Sequence, residues 1–244
     1  MHVPTPSSTS SHASQPRWHV VTKSSWLDSA LAWVNQSAAT ALAERGVFHL
    51  VLAGGSTPEK LYRALTQLPH DWSRWQIWFG DERCLPATDV QRNSRMAALA
   101  WLDHIQIPAE NIHPIPAELG ALAAAKSYSE ALRGLDEFDL VLLGLGQDGH
   151  TASLFPDQDW GAGQDALDAI PVANAPKPPP ERVTLSAHRL SRARGVLFLI
   201  CGADKRDALT RWQQGAIIPA ASIQPNTGID LLIDTDACPP GEPK

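Results

Sequence analysis

Apolar runs alternate with helical patterns along most of this chain, and no other feature restricts its fold as strongly. Strand-like runs occupy 19–22, 48–54, 76–81, 138–144, 183–186, 195–202 and 230–234. Helical patterns occupy 25–45, 58–68, 92–104, 118–134 and 203–214. Several runs do not alternate with polar residues, as expected of strands covered on both faces. The order predicts an α/β fold with a mostly parallel sheet and helices on both faces. Ligands of such folds bind beyond the carboxyl ends of the strands.

The domain organisation follows from where apolar content begins. Residues 1–16 are rich in Ser, Thr and Pro and lack the apolar segment of a secretory signal, so we expect a disordered tail. Residues 17–244 form a single α/β domain in this interpretation, because a chain of 244 residues with 43% hydrophobic content can bury one large core. The Pro-rich stretch 174–182 fits a surface loop better than a polyproline ligand for a partner.

Charge and cysteine content restrict the partners and the compartment. A formal net charge of −6 disfavours a nucleic-acid-binding face, and the apolar runs are too short to cross a bilayer. Cys84, Cys201 and Cys238 show no pairing motif and no histidine at metal spacing, which favours a reduced, cytoplasmic protein. No obligate protein partner is evident from the sequence.

The stretch "GGSTPEKLYRAL" follows the strand at 48–54. Gly54 and Gly55 allow a tight turn, Ser56 or Thr57 can cap the helix, and Pro58 suits its first turn. Unpaired N–H groups at such a helix start form a phosphate cradle. A well-capped turn without a ligand explains the segment equally well. It is not a Walker A loop, because no Gly-Lys-Ser/Thr follows the glycines.

Charged residues stand at other strand ends and helix starts, namely Asp81, Glu82, Arg83, Arg92, Arg95, Lys205 and Arg206. The helix dipole disfavours cations at a helix start, so the basic members predict a bound anion or a carboxylate partner nearby. Solvated loops and surface ion pairs are the alternative explanation.

The segment "DLVLLGLGQDGHTASLFP" at 139–156 carries the pattern Gly144-x-Gly146-x-x-Gly149. A dinucleotide fingerprint also needs a helix directly after the glycines and an acid ending the next strand. Pro156 and "DQDWGAGQD" interrupt any helix, and the acids about twenty residues on, Asp165 and Asp168, lie outside a predicted strand. The cofactor interpretation is therefore rejected.

The same segment presents Asp148 and His150 at a strand end. A metal site that adds Asp157 or Asp159 is weakly supported, because no second histidine is suitably spaced. A flexible loop carrying a histidine oriented by an acid is a general-base arrangement. No Gly-x-Ser-x-Gly elbow is present, so an attacking water is favoured over a serine nucleophile.

Together, "LAGGSTPEKLY", "WFGDERCLP", "LVLLGLGQDGHTASLFP", "RVTLS" and "GADKRDAL" resemble the successive motifs of the 6-phosphogluconolactonase family. The match runs in the family's order from about residue 18 to the last strand. The resemblance implies hydrolysis of 6-phosphoglucono-δ-lactone without a cofactor or a metal, in the oxidative pentose phosphate pathway. It also implies the modified Rossmann-like α/β fold shared with glucosamine-6-phosphate deaminase and ribose-5-phosphate isomerase.

The resemblance assigns a role to each matching position. His150 would activate water, with Asp148 beside it, and Arg182 would close the site. Arg83 would face either the phosphate or the lactone carbonyl, and His188 would be a surface histidine. The phosphate would be held by Gly54, Gly55, Ser56, Thr57, Arg83 and Lys205.

Two alternatives remain. The related deaminases carry a glutamate that supports sugar ring opening, where this chain has Phe155. A loss of that carboxylate disfavours ring opening, whereas ester hydrolysis needs only a base, water and oxyanion stabilisation. A sugar-phosphate sensor without catalysis would need the cradle but not Asp148 and His150.

Overall fold

The computed structural model describes residues 15–241. Its strands are β1 Arg17–Val21, β2 Phe48–Leu52, β3 Trp75–Phe79, β4 Asp81–Arg83, β5 Ile112–His113, β6 Leu140–Leu143, β7 Ala169–Val172, β8 Arg182–Leu185, β9 Val196–Ile200 and β10 Ile229–Asp234. Seven of them form one sheet in the order β1-β10-β9-β6-β2-β3-β5, and every neighbouring pair is parallel. The predicted α/β class with a mostly parallel sheet is confirmed.

The helices are α1 Trp26–Arg45, α2 Ser56–Leu65, α3 Asn93–Ala100, α4 Ala121–Ala131, α5 Ala187–Ser191 and α6 Arg206–Gln213. Short 3₁₀ turns span Trp72–Arg74, Leu102–His104, Ala109–Asn111, Ala117–Leu119, Ala203–Lys205 and Pro219–Ser222. The helix predicted at 92–104 is too long, because Trp101 leaves helical geometry with φ −150° and ψ −59°. No helix within residues 15–241 is long and apolar enough to cross a membrane.

Burial explains why the non-alternating runs become central strands. All five residues of β9, "VLFLI", are buried, as are the four of β6, "LVLL". Helices cover these strands with apolar faces, and α2 contributes Leu61, Tyr62 and Leu65 to the core. The Tyr62 hydroxyl also donates to the Ala53 carbonyl at 2.9 Å, which ties α2 to the end of β2.

A second, antiparallel sheet was not predicted. It contains three strands in the order β4-β8-β7, with Arg83 opposite Arg182 in the register. The run at 183–186 therefore is a strand, but it does not belong to the parallel sheet as expected. β4 and β7 were missed because they are short and polar or interrupted by proline, so their pairing depends on residues distant in sequence.

The described chain begins just before β1, so the proposed tail at 1–16 lies outside the described residues except for Gln15 and Pro16. Arg17 opens β1 and donates to both carboxylate oxygens of Asp230 in β10, at 2.8 and 2.6 Å. The edge strand β1 is thus held by a side-chain ion pair as well as by its backbone ladder.

Candidate active site

The carboxyl ends of β9, β6 and β2 lie side by side, since these strands are neighbours in the sheet. The chain crosses from β2 to β3 in one direction and later returns to place β6 on the other side of β2. Such a reversal of strand order opens a crevice at the carboxyl edge of a parallel sheet. The loops after β2, β6 and β9 meet at this edge, and they carry most of the predicted site residues.

The loop after β6 uses glycine where other side chains would not fit. A Cβ at Gly146 would lie 2.0 Å from His150 Nδ1, and a Cβ at Gly149 would lie 2.8 Å from the Ile218 side chain. Gly149 also has φ +91°, a conformation that favours glycine. The Gly146 N–H donates to the His150 carbonyl at 2.8 Å and closes the loop. These glycines accommodate packing around His150, and no helix follows them as a dinucleotide site requires.

Asp148 and His150 form a hydrogen-bonded pair. The Asp148 carboxylate accepts from the His150 ring Nδ1 and, at 3.1 Å, from the His150 backbone N–H. Burial favours a higher pKa for Asp148, but the hydrogen bonds from His150 outweigh it and lower that pKa, so the carboxylate is ionised and Nδ1 carries the proton. Nε2 has no hydrogen-bond partner among residues 15–241. The unprotonated nitrogen is therefore available to accept a proton.

The ring of His150 is largely desolvated, with 19% of the side chain exposed. Burial lowers its pKa, and the opposing charge of Asp148 does not restore the usual value. Phe155 contributes to this burial, because the two ring centroids are 4.9 Å apart. A neutral imidazole near neutral pH is the state that a general base needs.

The loop after β2 differs in detail from the prediction. Gly55, not Ser56 or Thr57, is the N-cap of α2, with φ 106° and no side-chain cap. Ser56 and Thr57 are instead its first helical residues, so their backbone N–H groups have no intrahelical acceptor. A Cβ at Gly54 would lie 2.2 Å from Asn93 Oδ1, so this glycine lets the loop approach the start of α3.

Glu82, a fully buried carboxylate in β4, organises the start of α3. It accepts from the backbone N–H groups of Asn93 at 2.7 Å and Ser94 at 2.8 Å. Arg92 Nε lies 3.4 Å from the same carboxylate, and Arg92 Nη1 donates to Glu118 at 2.7 Å. The cation predicted to need an anion at this helix start is therefore paired with protein carboxylates.

Asp81, the first residue of β4, links that strand to the glycine loop. Its carboxylate accepts from Asn93 Nδ2 at 2.9 Å and from the Ser153 hydroxyl at 2.5 Å. The charge of Asp81 also opposes the lowering of the His150 pKa by burial. Asp81 and Glu82 thus hold neighbouring segments together and do not form the solvated loop that was the alternative.

Two arginines lie opposite each other in the second sheet. Arg83 Nη1 donates to the Gln91 carbonyl, while Arg182 donates to the carbonyls of Pro179 at 3.1 Å and Lys177 at 2.9 Å. Burial lowers the pKa of Arg182, and the charge of Arg83 lowers it further. Neither forms an ion pair with a carboxylate of the described chain. Arg182 uses Nε and Nη2 to hold a loop, which leaves Nη1 without an acceptor in the described chain.

Lys205 ends the 3₁₀ turn after β9, at the start of α6. Its ammonium lies 3.0 Å from Asp204, the surface pair that was the alternative to anion binding. Asp204 also accepts from Gln147 Nε2 at 3.2 Å, which joins this turn to the glycine loop. Lys205 thus lies beside the loop that carries His150, with a quarter of its side chain exposed.

Other predicted features lie apart from this cluster. No group of three or more metal-binding side chains occurs in residues 15–241. Asp168 directly precedes β7 and pairs with Arg192 at 3.3 Å. His188 lies in α5 and is partly exposed. Arg95 pairs with Asp103 at 3.5 Å.

Comparison with known proteins identifies the family. Residues 22–232 match the family described as glucosamine-6-phosphate isomerases/6-phosphogluconolactonase. The chain belongs to this family. A 6-phosphogluconolactonase of Synechocystis is 38% identical over 236 residues, which cover 89% of this chain and 95% of the relative. The human 6-phosphogluconolactonase is 37% identical over 225 residues, covering 86% and 87% of the two chains.

Solved structures of the family superpose closely on this chain. A 6-phosphogluconolactonase of Thermotoga maritima has a TM-score of 0.84 at 27% identity, covering 91% of this chain and all of the other. A monomeric glucosamine-6-phosphate deaminase has a TM-score of 0.77 at 20% identity, which shows a shared fold alone. The family predicted from the motifs is confirmed. The structure adds Asn93, which joins Asp81 and Glu82 of β4 to the start of α3.

Proposed function

We propose that this protein hydrolyses 6-phospho-D-glucono-1,5-lactone to 6-phospho-D-gluconate, the second step of the oxidative pentose phosphate pathway. The observation that carries the proposal is the Asp148–His150 pair, whose geometry leaves Nε2 unprotonated and without a partner in the described chain. Relatives named for this activity at 37–38% identity over most of the chain support the same substrate. The protein is then a carboxylic-ester hydrolase.

His150 Nε2 takes a proton from a water that attacks the lactone carbonyl carbon C1. Asp148 fixes the tautomer and stabilises the imidazolium that forms, as an acid does beside histidine in hydrolytic triads. The C1–ring oxygen bond then breaks, and the imidazolium returns its proton to the departing oxygen. This reaction needs a base, a water and charge stabilisation, and it requires neither a cofactor nor a metal.

The phosphate binds where α2 begins and where the loop after β9 ends. The N–H groups of Ser56 and Thr57 have no intrahelical acceptors, and the space beside Gly55 is open, which supports close approach of a phosphate to this helix start. Arg83 and Lys205 supply positive charge to this cradle in the proposal. Arg182 closes the site in this proposal, because its Nε and Nη2 hold the neighbouring loop. Its Nη1 has no acceptor in the described chain and can therefore donate to the substrate.

A deaminase or isomerase activity is the second candidate, since the family description includes it. Phe155 disfavours it, because an apolar ring stands against His150 where the deaminases carry a carboxylate. A non-catalytic sensor is disfavoured for another reason. It would have no need of an ionised Asp148 that holds His150 in one tautomer.

We further propose a cytoplasmic protein with a single domain at 17–244 that works without an obligate protein partner. Cys84 and Cys201 are free thiols, as expected in a reducing compartment. Burial raises the pKa of both, to about 11 for Cys84 and to about 12 for Cys201, so they are unreactive.

The test is a coupled assay on freshly generated 6-phosphogluconolactone, with spontaneous hydrolysis subtracted. Glucosamine 6-phosphate and the unphosphorylated lactone serve as competing substrates. We expect turnover of the phosphorylated lactone, much weaker turnover of the unphosphorylated one and none of the amino sugar. Release of ammonia from glucosamine 6-phosphate would favour the second candidate, and binding of the product without any turnover would favour a sensor.

A further inference from the structure

The Pro-rich loop 173–181, which joins β7 to β8, is fastened at several points. Ala175 N–H donates to the Pro180 carbonyl at 2.9 Å, and Gln158 Nε2 donates to the Asn174 carbonyl at 2.9 Å. Arg182 holds the carbonyls of Lys177 and Pro179 from beneath. Prolines at 178–180 fix three further φ angles. A loop with these restraints presents its side chains in a defined place.

This loop is built onto the surroundings of the catalytic histidine. Phe155, Val172 and Ala175 form a small hydrophobic cluster of their own, separate from the main core. The Arg182 guanidinium lies 5.5 Å from the centre of the Phe155 ring, and the His150 ring centre lies 4.9 Å from it. Lys177 is two residues from Ala175, so its position is coupled to the same cluster.

Lys177 is exposed, and its ammonium contacts no carboxylate or other acceptor within residues 15–241. Its charge nevertheless reaches the site. Burial is the main reason that the pKa of His150 is low, and Lys177 lowers it further, whereas Asp148 and Asp81 oppose that effect. An unpaired cation on a restrained loop beside the base is available for a negative charge that arises during the reaction.

We propose that Lys177 is a further catalytic residue of the lactonase, whose ammonium stabilises the anionic oxygen formed on C1. The proposal rests on the proposed function. When water oxygen bonds to C1 and His150 takes the water proton, the electron pair of the C1=O double bond moves onto its oxygen. That oxyanion lies beside Lys177 until the pair returns, the C1–ring oxygen bond breaks and the ring oxygen receives the proton from His150.

The location of Lys177 favours C1 over the phosphate. Lys205 and the start of α2 follow strands of the parallel sheet, whereas Lys177 lies in the loop between two strands of the antiparallel sheet. Arg182 holds the Lys177 carbonyl and packs on the Phe155 ring, and that ring contacts His150, which must stand at C1 for the proposed reaction. Charge placed where an oxyanion develops raises turnover and leaves ground-state binding little changed.

The test compares Lys177→Gln with Lys177→Arg, using Lys126→Gln in α4 as a matched loss of an exposed charge. We expect Lys177→Gln to lower kcat at least about tenfold, within the range that oxyanion donors supply, with KM and inhibition by inorganic phosphate nearly unchanged. Lys177→Arg should retain most of the turnover, and Lys126→Gln all of it. The acid limb of the rate profile should move to higher pH in Lys177→Gln, because a cation near His150 is lost.

Three outcomes would overturn the inference. Wild-type kcat in Lys177→Gln would exclude a catalytic role, and a loss confined to KM and phosphate inhibition would place Lys177 at the phosphate. An equal loss in Lys177→Arg with an unmoved acid limb would indicate loop packing. If the wild-type protein did not hydrolyse the lactone at all, the proposed function itself would fail, which the wild-type assay reveals separately.

Discussion

The loops after β2 and β6 are shaped by glycines, whereas β4 and the start of α3 are held together by buried charges. At Gly54 and Gly146 any larger side chain would collide with Asn93 or His150. In β4, by contrast, the Glu82 carboxylate is fully buried and holds the start of α3 through hydrogen bonds and the Arg92 ion pair. The glycine loops depend on residues without a side chain, whereas β4 and the start of α3 depend on particular charged side chains.

The difference separates residues that react or bind in the proposed site from residues that stabilise the fold around it. The glycine-shaped loops carry His150 and the start of α2. Replacing a polar side chain there is expected to remove a reacting or binding group and to leave the fold intact. The charged region contacts the same site through Asp81 and Asn93, but its substitution leaves buried polar atoms without partners. We therefore expect losses of activity from one region and losses of stability from the other.

The largest expected effect is on stability, in Glu82→Ala. Removing one member of a buried ion pair costs about 3–5 kcal/mol, because Arg92 loses its ion-pair partner and three backbone N–H groups lose their acceptor. In a protein of this size that lowers Tm by roughly 10 °C. The matched control is Glu118→Ala, which removes the exposed partner of the same Arg92 and should cost about 1 kcal/mol or less. Calorimetry on both variants measures the difference, and equal Tm losses would contradict the assignment of Glu82 as the support.

Substitution of the base comes next. His150→Asn should retain the fold and bind product, and lose on the order of a hundredfold in turnover, the usual effect of a general base. Asp148→Asn should cost less, because orientation partly survives without the charge. Since burial lowers the pKa of His150, the wild-type rate should rise with pH below about 6.5 and level off near neutrality.

The decisive measurement is the turnover of His150→Asn after subtraction of spontaneous hydrolysis. Near-wild-type turnover would mean that His150 only structures its loop, and it would contradict the claim that the glycine loops carry the chemistry. A fall in Tm as large as that of Glu82→Ala would contradict the claim that the glycine loops contribute little to stability, because His150 would then stabilise the fold as well.

Lys205→Ala tests the phosphate cradle. A charge-assisted hydrogen bond contributes roughly 1.5–3 kcal/mol, so apparent affinity should fall at least about tenfold. Inhibition by phosphate and by 6-phosphogluconate should weaken in parallel, with little change in Tm. Normal product binding together with lost turnover would show that Lys205 acts at C1 and not at the phosphate.

Acidification should destabilise the parallel sheet through His49 and His113. His49 Nδ1 lies 3.2 Å from Trp78 Nε1, so it accepts that N–H and must be unprotonated. Burial lowers the pKa of both histidines, for His49 with Asp139 opposing the effect. The unfolded chain then binds more protons, so stability is complete above about pH 6.5 and falls as pH drops below it. Urea unfolding across this range should show a flatter dependence in His49→Gln, and an unchanged slope would contradict the assignment.

The sequence predicts one of the two regions far better than the other. The loops after β2, β6 and β9 follow from local signals, namely an apolar run and glycines, with a helix start after β2 and β9, and all three lie where expected. The antiparallel sheet follows from pairings such as Arg83 with Arg182, about a hundred residues apart, for which no local pattern exists. The N-cap of α2 was misplaced because Ser, Thr and Gly all suit that position, and only the backbone conformation of Gly55 decides it.

The smallest effect is expected from deletion of residues 1–15. The polar segment 1–14 lies outside the described residues, and within those residues the β1 ladder begins at Arg17. Activity and Tm should therefore change little in this variant. Deletion of residues 1–19 is the control, because it also removes Arg17 and His19 and leaves the buried Asp230 carboxylate without either partner, at a cost on the order of 3 kcal/mol. A large loss on the shorter deletion would mean that the segment before β1 packs on the domain or covers the site, and the boundary proposed at residue 17 would then be wrong.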